Sequence, residues 1–223
     1  VDIEHSPVNW ETAAQMFGVI AEAGIVPLAR VPSNSHENIK RCLDNGAFGI
    51  VVPMVNTAEE ARAAVAATRY HPVGNRSVGG SLHCLNFGVP APEYYAEASN
   101  EIFVAVQTEH IEAVENAEEI CAVEGVDAIF VGPNDLLQSM EKTPGMESDD
   151  KEFVEAMDHL RETALKHGVA PGLHTLLPEQ LRRRIDEGWT FLALGSDVAL
   201  MLQGAKSSLK EAGIGEGGES TRY

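Results

Sequence analysis

The chain has 223 residues, 44% of them hydrophobic and 22% charged, with a formal net charge of −18. That length suits one domain with a sizeable core, and the mixture is globular rather than disordered. The charge argues against nucleic acid or an anionic membrane as partner, because both require clustered Lys and Arg. Cys42, Cys84 and Cys121 lie far apart and form no C-x-x-C pair, which predicts free thiols and a cytoplasmic setting. No apolar run approaches the roughly 20 residues that span a bilayer, and the opening VDIEH does not read as a secretory signal.

Short β-branched runs alternate with helical patterns along the chain. The expected strands are VDI (1–3), IVPLARV (25–31), GIVVP (49–53), IFVAVQ (102–107), AIFVG (128–132), VAPGL (169–173) and FLALG (191–195). Between them ETAAQMFGVIAEAG, SHENIKRCLDNGA, TAEEARAAVAATRY, IEAVENAEEICAVEG and KEFVEAMDHLRETALKHG repeat apolar residues at helical spacing. Gly24, Gly46, Gly125, Gly168 and Gly188 stand where left-handed C-terminal caps belong. Residues 70–100 are expected to form one long irregular connection, a kind of loop that is usually functional or disordered.

Alternating β and α units imply parallel strands joined by right-handed crossovers. The expectation is an α/β fold, a (β/α)8 TIM barrel whose first β/α unit is absent from this sequence. A doubly wound open sheet is the alternative, but it usually carries a Gly-rich phosphate loop after an early strand. GIGEGG at 213–218 follows no strand and opens no helix. Residues 1–205 are expected to form the barrel domain, and 206–223 the end of the last helix and a flexible tail.

Barrel enzymes place their chemistry at the C-terminal ends of strands. The polar residues there are Glu4, His5, Arg30, Gln107, Glu109, Asn134 and Asp135. Glu109 and Asp135 follow consecutive strands, which lie about 4.8 Å apart in a parallel sheet. Two carboxylates so close repel unless a proton or cation lies between them, and hard ions such as Mg²⁺ or Mn²⁺ suit carboxylate oxygens. The alternative is that each carboxylate caps the helix after it. Arg30 could hold a carboxylate or enolate oxygen with its planar fork, or form a structural ion pair with Asp44 or Glu4. His5 is a candidate general base or simply a solvated ring. No Lys falls on an expected strand, which argues against Schiff-base chemistry and leaves a metal to stabilise an enolate.

DIEHSP, ARVP, CLDNGAFGIVVPMVNTAEEARAAVAATRY, VQTEHIEAVENAEEI, GVDAIFVGPNDL and LALGSDVALM, in order from residue 1 to about 205, resemble the HpcH/HpaI family of class II, metal-dependent pyruvate aldolases. The resemblance implies reversible cleavage of a 2-keto-4-hydroxy acid to pyruvate, or a similar 2-oxo acid, and an aldehyde. It implies Glu109 and Asp135 as ligands of Mg²⁺, Mn²⁺ or Co²⁺, and Arg30 as the group steadying the keto oxygen. His5 would be the acid/base with Asp2 orienting it, Gln107 would stand beside the metal, and Asp44 would reach a neighbouring subunit's site. Gly132, Asn134 and the amide of Asp135 would receive the pyruvate carboxylate. Relatives exchange a C-terminal helix between subunits, so a homo-oligomer, a hexamer or trimer of dimers, is implied. Relatives also carry a strand and helix before the EH motif, commonly a small residue where Asn134 stands, and Arg-Gly where this chain has NRSVGGS. The last difference leaves the aldehyde open. Two other readings keep the barrel: a citrate-lyase-like or malyl-CoA-lyase-like enzyme or 2-oxo acid decarboxylase, and a catalytically silent barrel that binds metal and keto acid.

Overall fold

The structure is a computed structural model and describes residues 1–214. Six strands form one parallel sheet in sequence order: β1 (Leu28–Arg30), β2 (Gly49–Val52), β3 (Phe103–Gln107), β4 (Ala128–Val131), β5 (Ala170–Thr175) and β6 (Phe191–Leu194). The expected first strand survives as a single parallel bridge, Asp2 to Arg30. There the Ile3 N–H donates to the Arg30 carbonyl at 3.0 Å and the Arg30 N–H to the Val1 carbonyl at 2.9 Å.

The β-branched strand residues sort by face, as a period of two requires. Ile50, Val52, Val104, Val106 and Ile129 are buried and do not line the cavity. Arg30, Val51, Gln107, Phe130 and Phe191 face a shared cavity on the other side. Phe103 of β3 and Phe191 of β6 touch with ring centroids 5.1 Å apart although their strands are not neighbours. The sheet is therefore curled, a half-barrel around its polar mouth.

The outer layer begins with α1 (Trp10–Glu22), α2 (His36–Asp44) and α3 (Ala58–Thr68). Ser35 caps α2 by accepting from the Asn38 N–H, and Thr57 with Glu60 forms a capping box on α3. Residues 70–100 correct the expectation of an irregular connection, for they contain α4 (Leu82–Phe87) and α5 (Ala91–Glu101). The breakers that suggested a loop are the helix ends: Gly88 closes α4 in the left-handed region and Pro90 precedes α5.

The helix expected over 111–125 is two pieces, α6 (Ile111–Glu115) and α7 (Ala117–Cys121). They divide at Asn116, whose side chain donates to the Asn56 carbonyl at 2.8 Å. Then come α8 (Pro133–Ser139), α9 (Lys151–Lys166), α10 (Pro178–Asp186) and α11 (Asp197–Glu211). The five glycines expected as caps all have positive φ. Of the expected tail, 206–211 continue α11, and 215–223 lie outside the described residues.

Candidate active site

A cavity of about 800 Å³ opens at the C-terminal ends of the strands. It gathers Asp2, His5, Arg30, Gln107, Glu109, Gly132, Asn134 and Asp135 from segments far apart in sequence. Asp44 is not among them. It ends α2, and its carboxylate accepts from the buried Arg76 at 2.8 Å. Because α2 returns antiparallel to β1, that pair lies toward the other end of the sheet.

Glu109 is 4% exposed, the one buried acid among the described residues. Its Oε1 accepts from the Met54 backbone N–H at 2.9 Å and its Oε2 from the Gln107 amide at 2.7 Å. Burial pushes its pKa up to about 7, against the Met54 hydrogen bond, and the nearby Asp135 and Glu4 push the same way. The register that pairs Gln107 with Phe130, continued by two residues, sets Glu109 beside Gly132. A Cβ on Gly132 would collide with Glu109 Oε2, so the glycine supplies space for the carboxylate.

Neither carboxylate is a helix cap. His110 caps α6, and Gly132 is the N-cap of α8 with Asp135 exposed in the first turn. Beside Asp135, the Asn134 amide donates to Met146 Sδ at 3.3 Å.

Arg30 is held on three sides. Its Nε and Nη2 donate to Asp2 Oδ1 and Oδ2 at 2.9 and 2.6 Å, and Nη1 lies 3.2 Å from Glu4 Oε2. Two of its five N–H groups are thereby hydrogen-bonded to Asp2, leaving one on Nη2 and those on Nη1, which also faces the Glu4 carboxylate, for a ligand. Of the two ion pairs expected as alternatives, Glu4 is present and Asp44 is not. Burial would raise the Asp2 pKa, but the Arg30 guanidinium outweighs it and holds the carboxyl below its ordinary value.

Asp2 meets His5 through the main chain: Oδ1 accepts from the Glu4 and His5 N–H groups at 3.0 and 3.4 Å. The His5 ring is 68% exposed, with Nε2 3.7 Å from Glu4 Oε2.

Three features of the site escaped the sequence reading. Met54 supplies its N–H to Glu109 from a left-handed backbone, φ 52°. His174 of β5 lines the cavity and donates from Nε2 to the Gly195 carbonyl at 2.9 Å, which leaves Nδ1 as an acceptor. Ser196 and Asp197, before and at the start of α11, close the β6 side. The strand-end pattern at 174 pointed to His174; nothing in the sequence marks the backbone of Met54.

The donor set suits a hard divalent cation. Each oxygen of Glu109 accepts one hydrogen bond, so each retains a lone pair, and among the described residues no group donates a hydrogen bond to the Asp135 carboxylate. A buried carboxylate of raised pKa needs a proton or a positive charge beside it. Among the described residues no group of three or more His, Cys, Asp or Glu converges as a metal cage, and two carboxylates with open positions is how Mg²⁺ is commonly bound.

The sequence matches the family model described as HpcH/HpaI aldolase/citrate lyase over residues 1–204. It is 33% identical over 212 residues to the hydroxypyruvate/pyruvate aldolase of Rhizorhabdus wittichii, covering 95% of this chain and 83% of that protein. It is 37% identical over 200 residues to the 5-keto-4-deoxy-D-glucarate aldolase of Klebsiella pneumoniae, covering 90% of this chain and 77% of that protein. A solved structure of an HpcH/HpaI aldolase/citrate lyase family protein from Burkholderia cenocepacia superposes with a TM-score of 0.86 at 30% identity, over 95% of this chain and 84% of that one. On this match, which runs through every strand and the cavity they line, the chain belongs to the HpcH/HpaI aldolase/citrate lyase family.

Proposed function

We infer that the protein is a class II aldolase that reversibly cleaves a 2-keto-4-hydroxy acid to pyruvate, or a close 2-oxo acid, and an aldehyde. The observation that carries this is Glu109 and Asp135 at one corner of the cavity, with Arg30 lining it too. A divalent cation such as Mg²⁺, Mn²⁺ or Co²⁺, held by Glu109 and Asp135, would polarise the keto oxygen and offset the charge that develops there. Arg30 would offer its free terminal N–H groups to the same oxygen, and its pairing with Asp2 and Glu4 keeps the fork in place. His5 moves the proton, directly or through water, on the loop that Asp2 braces. Gly132, Asn134 and the Asp135 amide receive the substrate carboxylate, and Gln107 steadies Glu109 from the side.

Proton NMR of pyruvate in D₂O tests the reading without knowledge of the aldehyde. The methyl protons should exchange with Mg²⁺ or Mn²⁺ present and stop exchanging in EDTA. Glu109→Gln and Asp135→Asn should each lower exchange by about 100-fold or more while thermal unfolding stays cooperative. Exchange that survives EDTA removes the cation from the scheme. A CoA-dependent lyase is the weaker reading, because Arg30 is the sole Lys or Arg among the described residues lining the cavity, and a nucleotide's phosphates need more.

Residues 1–205 form the aldolase domain of a (β/α)8 barrel, with 206–223 as helix end and tail. Support for the barrel comes from the two sheet edges, Val1–Ile3 and β6, which border one cavity and which a closed barrel would pair. The protein acts in the cytoplasm as a homo-oligomer on small molecules; the three buried free cysteines are consistent with that setting, and no described helix is long and apolar enough to cross a membrane.

A further inference from the structure

Two non-glycine residues among those described have positive φ, Met54 at 52° and Glu141 at 59°. Glu141 follows the C-terminus of α8, where the Lys142 N–H returns to the Leu137 carbonyl at 2.9 Å; such turns commonly end helices. Met54 ends no helix. A left-handed backbone under a side chain is strained and persists only where its surroundings impose it.

The surroundings of Met54 are Glu109. After β2 the chain passes Pro53, and the Met54 N–H leaves the sheet ladder to reach Glu109 Oε1 at 2.9 Å. The next amide returns to the strand at once, the Val55 N–H donating to the Gln107 carbonyl at 3.0 Å. One amide is thus taken out of register and turned to a side chain two residues beyond the end of the neighbouring strand. With the Gln107 amide on Oε2 and Gly132 against the same oxygen, the carboxylate is fixed in plane and in rotation. Met54 is 46% exposed, and its side chain takes no part in the contact.

We propose that Met54 is a positioning residue whose backbone N–H, delivered by the left-handed turn, sets the Glu109 carboxylate for cation binding. This rests on the assignment of Glu109 and Asp135 as cation ligands. It makes position 54 matter through its backbone alone. A residue that accepts the left-handed region and keeps its N–H serves; proline, which has no N–H and a φ fixed near −65°, does not.

The test is Mn²⁺ affinity, read by electron paramagnetic resonance of free Mn²⁺ in the full chain without substrate. Met54→Gly should keep the dissociation constant within about threefold of the wild type. Met54→Pro should raise it about 10- to 100-fold, the usual cost of losing a group that orients a metal ligand. Because proline could unfold the turn, the Pro53–Met54 amide is also replaced by an ester, which removes the N–H and leaves the side chain in place. The ester should weaken Mn²⁺ about as much as Met54→Pro with circular dichroism unchanged. An ester protein that binds Mn²⁺ as the wild type does overturns the proposal, as does Met54→Gly losing as much affinity as Met54→Pro. If Glu109→Gln binds Mn²⁺ like the wild type, the ligand assignment fails and the proposal falls with it; weak binding by Glu109→Gln together with tight binding by the ester sinks the positioning role alone.

Discussion

At Gly132 one methyl group is enough to test the site. The backbone there, φ −97° and ψ 95°, is open to any residue, so alanine brings no conformational strain. It brings a Cβ into Glu109 Oε2, and the carboxylate, already hydrogen-bonded on both oxygens, has to turn away. Gly132→Ala should therefore lower pyruvate proton exchange by about 100-fold, since displacement of about 1 Å costs that much, with a stability change of about 1 kcal/mol. Exchange at the wild-type rate would mean that the carboxylate has room to move without consequence.

Glu109 itself sets a pH dependence. Its folded pKa is raised from 4.5 to about 7, so between those values the folded state holds a proton that the unfolded chain has released. Stability of the cation-free protein then falls as pH rises through this window, in total by on the order of 3 kcal/mol. Melting in EDTA at about pH 5 and about pH 8 should show a drop of several degrees, reversed by Mn²⁺ at the higher pH. The drop should shrink in Glu109→Gln; equal slopes in both proteins would exclude Glu109 as its source. The carboxylates, Arg30 and His5 were legible in the sequence because strand ends in a parallel α/β fold predict where polar groups gather. The grip on Glu109 was not, because a backbone amide at Met54 has no side-chain signature and a glycine at 132 reads equally as a turn.

Among the elements, the strands and their order could be read because β-branched runs are short and separated by regular amphipathic segments. The α4–α5 pair was hidden by length and composition: six and eleven residues among Gly, Pro and Asn carry too few apolar repeats to announce a helix. The opening segment shows how an element can be weak and still organise a site. Residues 1–3 make one bridge to β1, and the segment is secured by the Asp2 carboxylate, which takes Arg30 and the amides of Glu4 and His5 together. The ion pair is partly exposed, so Asp2→Ala should cost only about 1 kcal/mol of stability. Its effect on turnover should be larger, about 10- to 100-fold, because the loop carrying His5 and the fork of Arg30 lose their common brace. A variant that melts several degrees lower yet exchanges pyruvate protons normally would reduce Asp2 to a structural role.

At the scale of the whole molecule, burial is uneven. The sheet is thickly covered over β2 to β4, whereas α10 and α11 contain no buried residue and β6 is at best half-buried. On α11 Val198, Met201, Leu202 and Leu209 are 54, 67, 55 and 48% exposed, and their spacing of three, four, seven and eleven residues puts them on one stripe. An exposed apolar stripe of this kind suits an association surface. The homo-oligomer proposed above would use it, and the net charge of −18 works against nonspecific clustering through the rest of the surface. Light scattering should give a mass that is a multiple of 24.0 kDa, and the double change Met201→Glu, Leu202→Glu should reduce it toward one chain. Stability should then become independent of protein concentration, as it is for a monomer. A wild-type mass of one chain at micromolar concentration would sink the oligomer. Dissociated protein that still exchanges pyruvate protons at the full rate would leave the assembly standing but remove any part for Asp44 in a neighbour's site, returning that carboxylate to its visible role as the partner of buried Arg76.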